Sequence, residues 1–157
     1  MSRDLASTSA DLLASLTHLM ASWASTRTQA AVAEEAGVET DPLDLPPLYM
    51  LGLQGPSRAG DLATALHVTR PTMSKQLVRL ERAGLIERHA DATDRRASVI
   101  HLSSSGAAAH DLLVARGVEM LQEAISDWDD DEAVQFATQL GRFVGALRRQ
   151  HTETSTR

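Results

Sequence analysis

The stretch LATALHVTRPTMSKQLVRLERAGLIERHADATDRRASVIHLS, residues 62–103, decides the fold. Its first part is a short helical pattern that ends near His67. A tight turn at Val68 and Thr69 leads into a second helix, predicted over residues 70–83. Thr69 is an N-cap residue by type, Pro71 is tolerated in the first turn, and a glycine at position 84 ends the helix. Two short helices joined by a tight turn predict a helix-turn-helix.

After this helix the spacing of apolar residues changes from helical to alternating. Residues 86–90 and 97–102 are predicted to form two short strands of a β-hairpin. The connecting segment, residues 91–96, is polar and charged, so it should project into solvent. A helix-turn-helix followed by such a hairpin is a winged helix-turn-helix, whose second helix enters the major groove of DNA.

The second helix has hydrogen-bonding groups and cations near its N-terminus, whereas Met73, Leu77 and Leu80 share a face that is predicted to pack inward. Lys75 is the only lysine in the chain. Backbone amides at a helix N-terminus also favour a phosphate. For Arg79 two roles stay open, a phosphate contact or a salt bridge. The predicted DNA contacts in this helix are Thr69, Arg70, Pro71, Thr72, Ser74, Lys75 and Arg79.

The preceding segment is predicted to be helical. One long helix is expected over residues 9 to about 35, because no proline or glycine interrupts its apolar pattern before Gly37. Asp44 is expected to cap a short helix that ends at about residue 54, with prolines in its first turn. Ser57 is the expected cap of the next helix.

Two further helices are predicted after the hairpin. The serines at 103–105 open a long helix that ends near Trp128. Asp129 and Glu132 then have the spacing of a capping box, which predicts a last helix to about residue 150. The fold class is therefore mainly α with a small β-hairpin wing.

Length and composition favour one globular domain of 157 residues. The net charge is −6, but residues 57–103 contain eight Lys or Arg against five Asp or Glu. A local excess of this size is also compatible with chance, so charge alone does not decide for nucleic acid. The chain has no apolar run long enough to span a bilayer, and no signal peptide is recognised. We expect a cytoplasmic protein.

The motifs of the common enzyme classes are missing. The sequence has no glycine-rich phosphate loop and no Gly-x-Ser-x-Gly elbow, and Ser103 to Ser105 near His110 fit a helix cap better than a catalytic triad. There is no cysteine for a nucleophile, a thiol sensor or a thiolate metal site. None of the six histidines has a metal-binding spacing to another. We expect no enzyme activity, no cofactor and no metal.

The combined pattern resembles the MarR family of transcriptional regulators. Four pieces in register support the resemblance: residues 62–74, the Leu80–Arg88 segment, the wing segment from Asp91 to Arg96, and Leu102-Ser103 with Gly106. Ala92 stands where the family often has proline, and Ser103 where it usually has threonine. Both departures are mild.

The resemblance implies a homodimer in which the first and last helices of two chains interlock. The dimerisation helices would occupy about residues 1–36 and 104–150, and the DNA-binding lobe about residues 44–103. The alternative is that both ends fold back on their own domain. A two-fold dimer would bind a palindromic operator, with half-sites about 10 bp apart.

The resemblance also assigns roles in the wing. Arg96 and Arg95 would contact DNA, with an arginine entering the minor groove, and Asp94 would orient the Arg96 guanidinium. One alternative is a solvated ion pair of little consequence. Another is a winged helix that docks a protein instead of DNA, against which the wing arginines, Lys75 and Arg70 argue.

Members of the family often respond to small phenolic or amphipathic ligands, which bind between the dimer helices and the DNA-binding lobe. An aromatic side chain, a cation and a histidine together could hold an aromatic anion. The alternative is that Trp23 and Tyr49 are simply core or interface residues. The candidate ligand contacts are His18, Trp23, Arg27, Tyr49, Met50 and His110. The expected function is a sequence-specific DNA-binding regulator, a repressor of a nearby promoter that such a ligand would relieve.

Overall fold

The computed structural model describes residues 4–94 and 97–154, so Arg95 and Arg96 lie outside the described residues. Within these ranges the fold is mainly α with a small antiparallel sheet, as predicted. The helices are α1 (Leu5–Trp23), α2 (Thr26–Glu35), α3 (Leu45–Gln54), α4 (Ala59–Ala65), α5 (Arg70–Arg82), α6 (Ser104–Ala124) and α7 (Asp130–Thr154). The strands are β1 (Ser57–Arg58), β2 (Ile86–Ala90) and β3 (Ser98–Leu102). The chain divides into two units, Met1–Gly117 and Val118–Arg157.

The N-terminal segment forms two helices, so the prediction of one long helix was wrong. α1 ends at Trp23, and Ser25 caps α2 by accepting a hydrogen bond from the Thr28 amide at 3.1 Å. Gln29 also donates to the Trp23 carbonyl at 2.7 Å, which ties the two helices together. A serine cap interrupts the helix here without any proline or glycine.

Asp44 does not cap α3, contrary to the prediction. A 3-10 turn, Pro42–Asp44, precedes the helix, and the side chain of Asp41 accepts a hydrogen bond from the Leu43 amide at 2.9 Å. Asp44 stands at the start of α3 but makes no capping bond. Its carboxylate is occupied elsewhere, by an arginine of α5.

The sheet has three strands in the order β1-β3-β2, one more than the predicted hairpin. β2 and β3 pair from Ile86 with Leu102 to Ala90 with Ser98, which confirms the hairpin. β1 adds Ser57 opposite Ile100 at the free edge of β3. Ser57 is therefore a strand residue, not the predicted cap of α4, and its hydroxyl donates to the Gly55 carbonyl at 3.1 Å. A strand of two residues is too short to show any alternation.

The core of the first unit is aliphatic and fixes α5 in place. Met73, Leu77 and Leu80 are fully buried, which confirms the inward face predicted for this helix. They belong to a core that also contains Leu45, Leu48, Leu62, Ile100 and Leu113. The helix-turn-helix and the sheet thus share one core, so the wing and α5 keep a fixed relation.

The start of α6 is joined closely to the segment before the wing. Ser103 caps it, as predicted, by accepting from the Gly106 amide at 2.9 Å, and its hydroxyl donates to the Gly84 carbonyl at 2.5 Å. Gly106 lies directly against the backbone carbonyl of Leu85, with no room for a Cβ atom. α6 ends at Ala124, four residues before the predicted end near Trp128.

In the second unit, the capping box before α7 is confirmed. Asp129 accepts from the Glu132 amide at 2.8 Å, and Glu132 accepts from the Asp129 amide at 3.2 Å. Trp128 packs edge-on against Phe136 of the same unit, with ring centroids 5.3 Å apart. Across the described ranges, no helix combines the length and hydropathy needed to cross a membrane.

Candidate nucleic-acid interface

The N-terminus of α5 is fixed by a threonine cap. Thr69 accepts from the Thr72 amide at 3.3 Å, and the two hydroxyls are 2.8 Å apart. The cap confirms the predicted start of this helix. It leaves Thr69 and Thr72 exposed, with their hydroxyl groups already engaged with each other.

The outer face of α5 is polar and open. Arg70, Pro71, Ser74 and Lys75 are exposed on it. A shallow groove follows this face and is lined by Ser74, Lys75, Val78, Arg79 and Arg82. The structure therefore groups most of the predicted contact residues of this helix on one surface. It also adds Arg82, which was not among the predicted contacts. The signal was its spacing, two helical turns after Lys75.

Arg79, another predicted contact, forms a salt bridge with Asp44. Its Nε donates to Asp44 Oδ2 at 2.7 Å and its Nη2 to Asp44 Oδ1 at 2.5 Å. These hydrogen bonds raise the pKa of Arg79. Of the two roles left open by the sequence, the structure contains the salt bridge.

The base of the wing is held by Asp91, which is buried. It accepts from the Thr93 hydroxyl and the Thr93 amide, each at 2.7 Å, and from Nε of Arg58 in β1 at 2.7 Å. These hydrogen bonds hold the pKa of Asp91 well below its usual range. Asp94 follows on the same turn, where its carbonyl accepts from the Ala97 amide at 2.9 Å. Arg58 was not predicted, because its partner lies 33 residues away in sequence.

A second link joins the wing to the end of α5. Arg88 of β2 donates to Glu81 at 3.0 Å. On the same sheet the rings of His89 and His101 lie with centroids 4.4 Å apart, and His89 is 3.2 Å from a carboxylate oxygen of Glu87. In the described ranges, no three His, Asp or Glu side chains are grouped in a way that could hold a metal ion.

A cavity of about 460 Å³ lies in the first unit, behind α5. It brings together three of the predicted ligand contacts, Trp23, Tyr49 and Met50. Burial raises the pKa of Tyr49. The other lining residues are Ala24, Thr26, Gln29, Pro42, Leu43, Pro46, Leu66, Val68 and Gln76.

The remaining three predicted ligand contacts do not line this cavity. His18 and Arg27 are exposed on α1 and α2. His110 packs against Gly52 and lies edge-on to Tyr49 at 6.4 Å, but it lines a separate depression beside β3. The predicted grouping of aromatic ring, cation and histidine is therefore not assembled in one place.

A capped helix with a polar outer face, set by a common core against a three-stranded wing, defines the chain as a winged helix-turn-helix protein. The MarR family profile matches residues 47–98. These residues run from α3 to the start of β3.

Solved structures match nearly the whole chain. MepR, described as a transcription regulator of the Staphylococcus aureus multidrug efflux pump MepA, is 27% identical, with a TM-score of 0.60 over 87% of this chain and 96% of its own. A point mutant of MepR from a multidrug-resistant S. aureus clinical isolate is 28% identical, with a TM-score of 0.63 over 88% and 96%. A MarR family protein from Bacillus stearothermophilus shares the fold, with a TM-score of 0.74 at 18% identity over 94% and 99%. No curated protein matches the sequence.

Residues 47–98 thus match the MarR family of transcriptional regulators, and two MepR structures at 27–28% identity share the fold of most of the chain. The likeness is therefore to DNA-binding winged helix-turn-helix regulators.

Proposed function

We propose that the protein binds a palindromic operator as a homodimer and represses a nearby promoter until a small molecule releases it. The main support for DNA binding is the outer face of α5. Arg70, Ser74 and Lys75 are exposed there, while the opposite face of the helix is buried in the core. A helix fixed on one side and polar on the other suits insertion into a major groove.

The contacts divide by chemistry. Arg70 and Lys75 supply cations for base edges or phosphates, and Ser74 a short hydrogen-bonding group. Thr69, Pro71 and Thr72 lie at the helix N-terminus, where backbone amides favour a phosphate. Arg82 lies farther along the groove, within reach of the phosphate backbone, and Arg79 can contact a phosphate there only through the part of its guanidinium that Asp44 leaves free. In the wing, the resemblance supports Arg95 and Arg96 as contacts and Asp94 as the group that orients Arg96.

The homodimer is supported by apolar side chains that each unit leaves uncovered. In α1, Leu13 and Met20 are exposed by 66% and 67%. In α7, exposed apolar residues include Val134, Phe136, Leu140, Val144 and Leu147. Apolar surfaces of this extent mark association sites. We assign residues 1–36 and 104–150 to dimerisation and residues 44–103 to DNA binding, within one domain.

Release by a ligand is supported by the cavity behind α5, whose volume lies in the range of small-molecule sites. The cavity is bounded by Gln76 of α5 and by residues of the helices and turns that precede α5. A ligand acts if it binds more tightly to a state whose two recognition helices no longer match the half-sites.

The test is a titration of the protein onto a labelled duplex from immediately upstream of its own gene, followed by fluorescence anisotropy. A scrambled duplex at the same near-physiological salt is the control. We expect a preference of about 10³-fold or more for the upstream duplex. Equal, weak binding to this duplex and to every other promoter fragment of the neighbourhood would contradict the proposal, and would point to a winged helix that docks a protein.

A further inference from the structure

Val78 is an exposed apolar residue on the outer face of α5. It is 37% exposed and lines the groove of that face together with Lys75 and Arg82. Within residues 59–82, all of which the structure describes, it is the only large apolar side chain that is exposed. Most other exposed apolar residues of the described ranges lie on α1, α6 and α7, the helices assigned above to dimerisation.

Stability does not explain a valine at this position. A side chain that stays exposed removes little apolar area from water. Valine also loses side-chain freedom in a helix, so it is a poorer helix former than lysine or arginine. On the same stripe of the helix, the neighbouring turns carry Lys75 and Arg82. An apolar group placed between two cations therefore requires a chemical reason.

We propose that Val78 contacts the 5-methyl group of a thymine in the major groove, so that each half-site of the operator contains a thymine that this residue recognises. The inference rests on the proposed function and adds one specific base contact to it. On the base edges of the major groove, the thymine methyl is the apolar group, and apolar side chains recognise it by direct contact. Ser74 and Lys75 line the same groove, but they offer hydrogen bonds, which a methyl group cannot accept.

The neighbours of Val78 hold it in place. Leu77, the preceding residue, is fully buried in the core. Arg79, the following residue, donates two hydrogen bonds to the carboxylate of Asp44. Valine in a helix has one strongly preferred χ1 rotamer. The two methyl groups of Val78 are thus positioned before DNA binds, so that the contact costs little side-chain entropy.

The spacing along α5 limits where the thymine can lie. Val78 follows Lys75 by three residues and Ser74 by four, which is about 4.5–6 Å along a helix axis. Successive base pairs are about 3.4 Å apart. The thymine should therefore lie within about two base pairs of the groups that Ser74 and Lys75 contact, in the same half-site.

The experiment removes methyl groups from the operator without changing its base pairs. In the promoter fragment that the full chain binds, each thymine and its symmetry mate are replaced in turn by deoxyuridine, which lacks only the 5-methyl group. Affinities are measured by fluorescence anisotropy. At one symmetric pair of positions we expect the affinity to fall about tenfold, because a buried methyl group in each half-site contributes about three- to fourfold. At these positions 5-methylcytosine should bind more tightly than cytosine by a similar factor, since its methyl group lies at the same place in the groove.

Two variants locate the effect. Val78→Ala removes the methyl groups that make the contact, so its response to deoxyuridine at these positions should fall below about twofold. The variant should fold, because the side chain is exposed and alanine favours the helix. Val114→Ala is the matched control, since Val114 is 41% exposed on α6, outside the groove. It should keep the tenfold response, which is a ratio within one protein and is therefore insensitive to a general loss of affinity.

Three results would overturn the inference: no thymine position that responds to deoxyuridine, a full response that Val78→Ala retains at every such position, or an equal loss of the response in Val114→Ala. Specific binding to the promoter fragment together with any of these contradicts only this inference. Equal, weak binding to every promoter fragment and to the scrambled duplex contradicts the proposed function, and this inference with it.

Discussion

Arg79 of α5 donates two hydrogen bonds to the carboxylate of Asp44, although the two residues lie 35 positions apart in sequence. The pair is asymmetric, since Asp44 is 1% exposed and the side chain of Arg79 is 42% exposed. It joins α5, the proposed recognition helix, to the turn Pro42–Asp44, whose Leu43 carbonyl also accepts from Gln76. The position of the recognition helix thus depends on a buried charge that a single side chain neutralises.

Because Asp44 is buried and Arg79 is half exposed, removing one partner should lower the free energy of unfolding by a different amount from removing the other. Arg79→Met leaves a buried carboxylate unpaired and should lower the free energy of unfolding by about 3 kcal/mol. Asp44→Asn leaves only a half-exposed guanidinium and should cost about 1 kcal/mol. Urea unfolding followed by circular dichroism, at one protein concentration, measures both. The double variant should be more stable than Arg79→Met alone; a larger loss in Asp44→Asn than in Arg79→Met would contradict this view.

The close contact between α6 and the segment before the wing predicts that Gly106 cannot be replaced by a larger residue without loss of stability. A Cβ at Gly106 would overlap the backbone carbonyl of Leu85, which cannot move aside as a flexible side chain would. Gly106→Ala should therefore destabilise the protein by about 2–3 kcal/mol. Gly117→Ala in the same helix is the control, because nothing lies within 4 Å of its Cβ position. It should stabilise the helix by about 0.5–1 kcal/mol. Equal unfolding midpoints for the two variants would show that α6 does not approach Leu85 this closely.

The recognition helix and the hairpin were predictable because their signals are local. The ends of α5 are marked by Thr69, Pro71 and Gly84. Its buried face is indicated by Met73 and Leu77. In the hairpin, alternation over five residues was enough to place β2. Each of these signals lies within about a turn or a strand of the feature that it predicts.

The features that the sequence did not predict depend on contacts across the fold. Nothing near Asp44 in sequence indicates that Arg79 will occupy its carboxylate, so it was taken for a helix cap. β1 exists only because β3 offers it a free edge. The hydrogen bond from Gln76 to the Leu43 carbonyl depends on the position of a turn that no periodic pattern encodes. Such contacts form between residues 33 to 43 positions apart, where spacing carries no information.

The wing base should give the protein an acid-sensitive element. The pKa of Asp91 is lowered in the folded state, so its contribution to stability is complete above the unfolded value of about 3.9 and is lost as the pH falls through the folded value. Asp91→Asn keeps an oxygen for the Thr93 amide but loses the charge that pairs with Arg58. The wild type should be the more stable of the two at about pH 6, and the difference should shrink steadily below about pH 4. Urea titrations at about pH 6 and at a pH below about 4 measure the difference in stability between the two proteins. A difference that does not change with pH would refute the role of the Asp91 charge at the base of the wing.

The outer face of α5 predicts a specific salt dependence. If Lys75 of each subunit neutralises one phosphate, Lys75→Ala removes two phosphate contacts from the proposed dimer and should reduce the slope of log K against log salt concentration by about 1.8. Arg27→Ala removes the same charge from an exposed site on α2 and should leave the slope unchanged. Anisotropy titrations with the upstream duplex at four salt concentrations give both slopes. An identical reduction in both variants would mean that net charge, and not a contact by Lys75, governs binding.

The exposed leucines of the chain offer a matched test of the dimer. Leu13 lies in α1, within the proposed dimerisation region, and is 66% exposed; Leu53 lies in α3, within the DNA-binding lobe, and is 72% exposed. A carboxylate at an apolar interface must be desolvated without a partner, so Leu13→Glu should raise the dimer dissociation constant by about 100-fold or more. Leu53→Glu should leave it unchanged. Light scattering coupled to size-exclusion chromatography, over a dilution series, distinguishes a dimer from the 16.9 kDa chain.

If Leu13→Glu remains as fully dimeric as the wild type at every dilution, α1 does not form the interface. If Leu53→Glu is the variant that dissociates, the chains associate through the DNA-binding lobe, and two recognition helices could not then meet one palindrome in the proposed way.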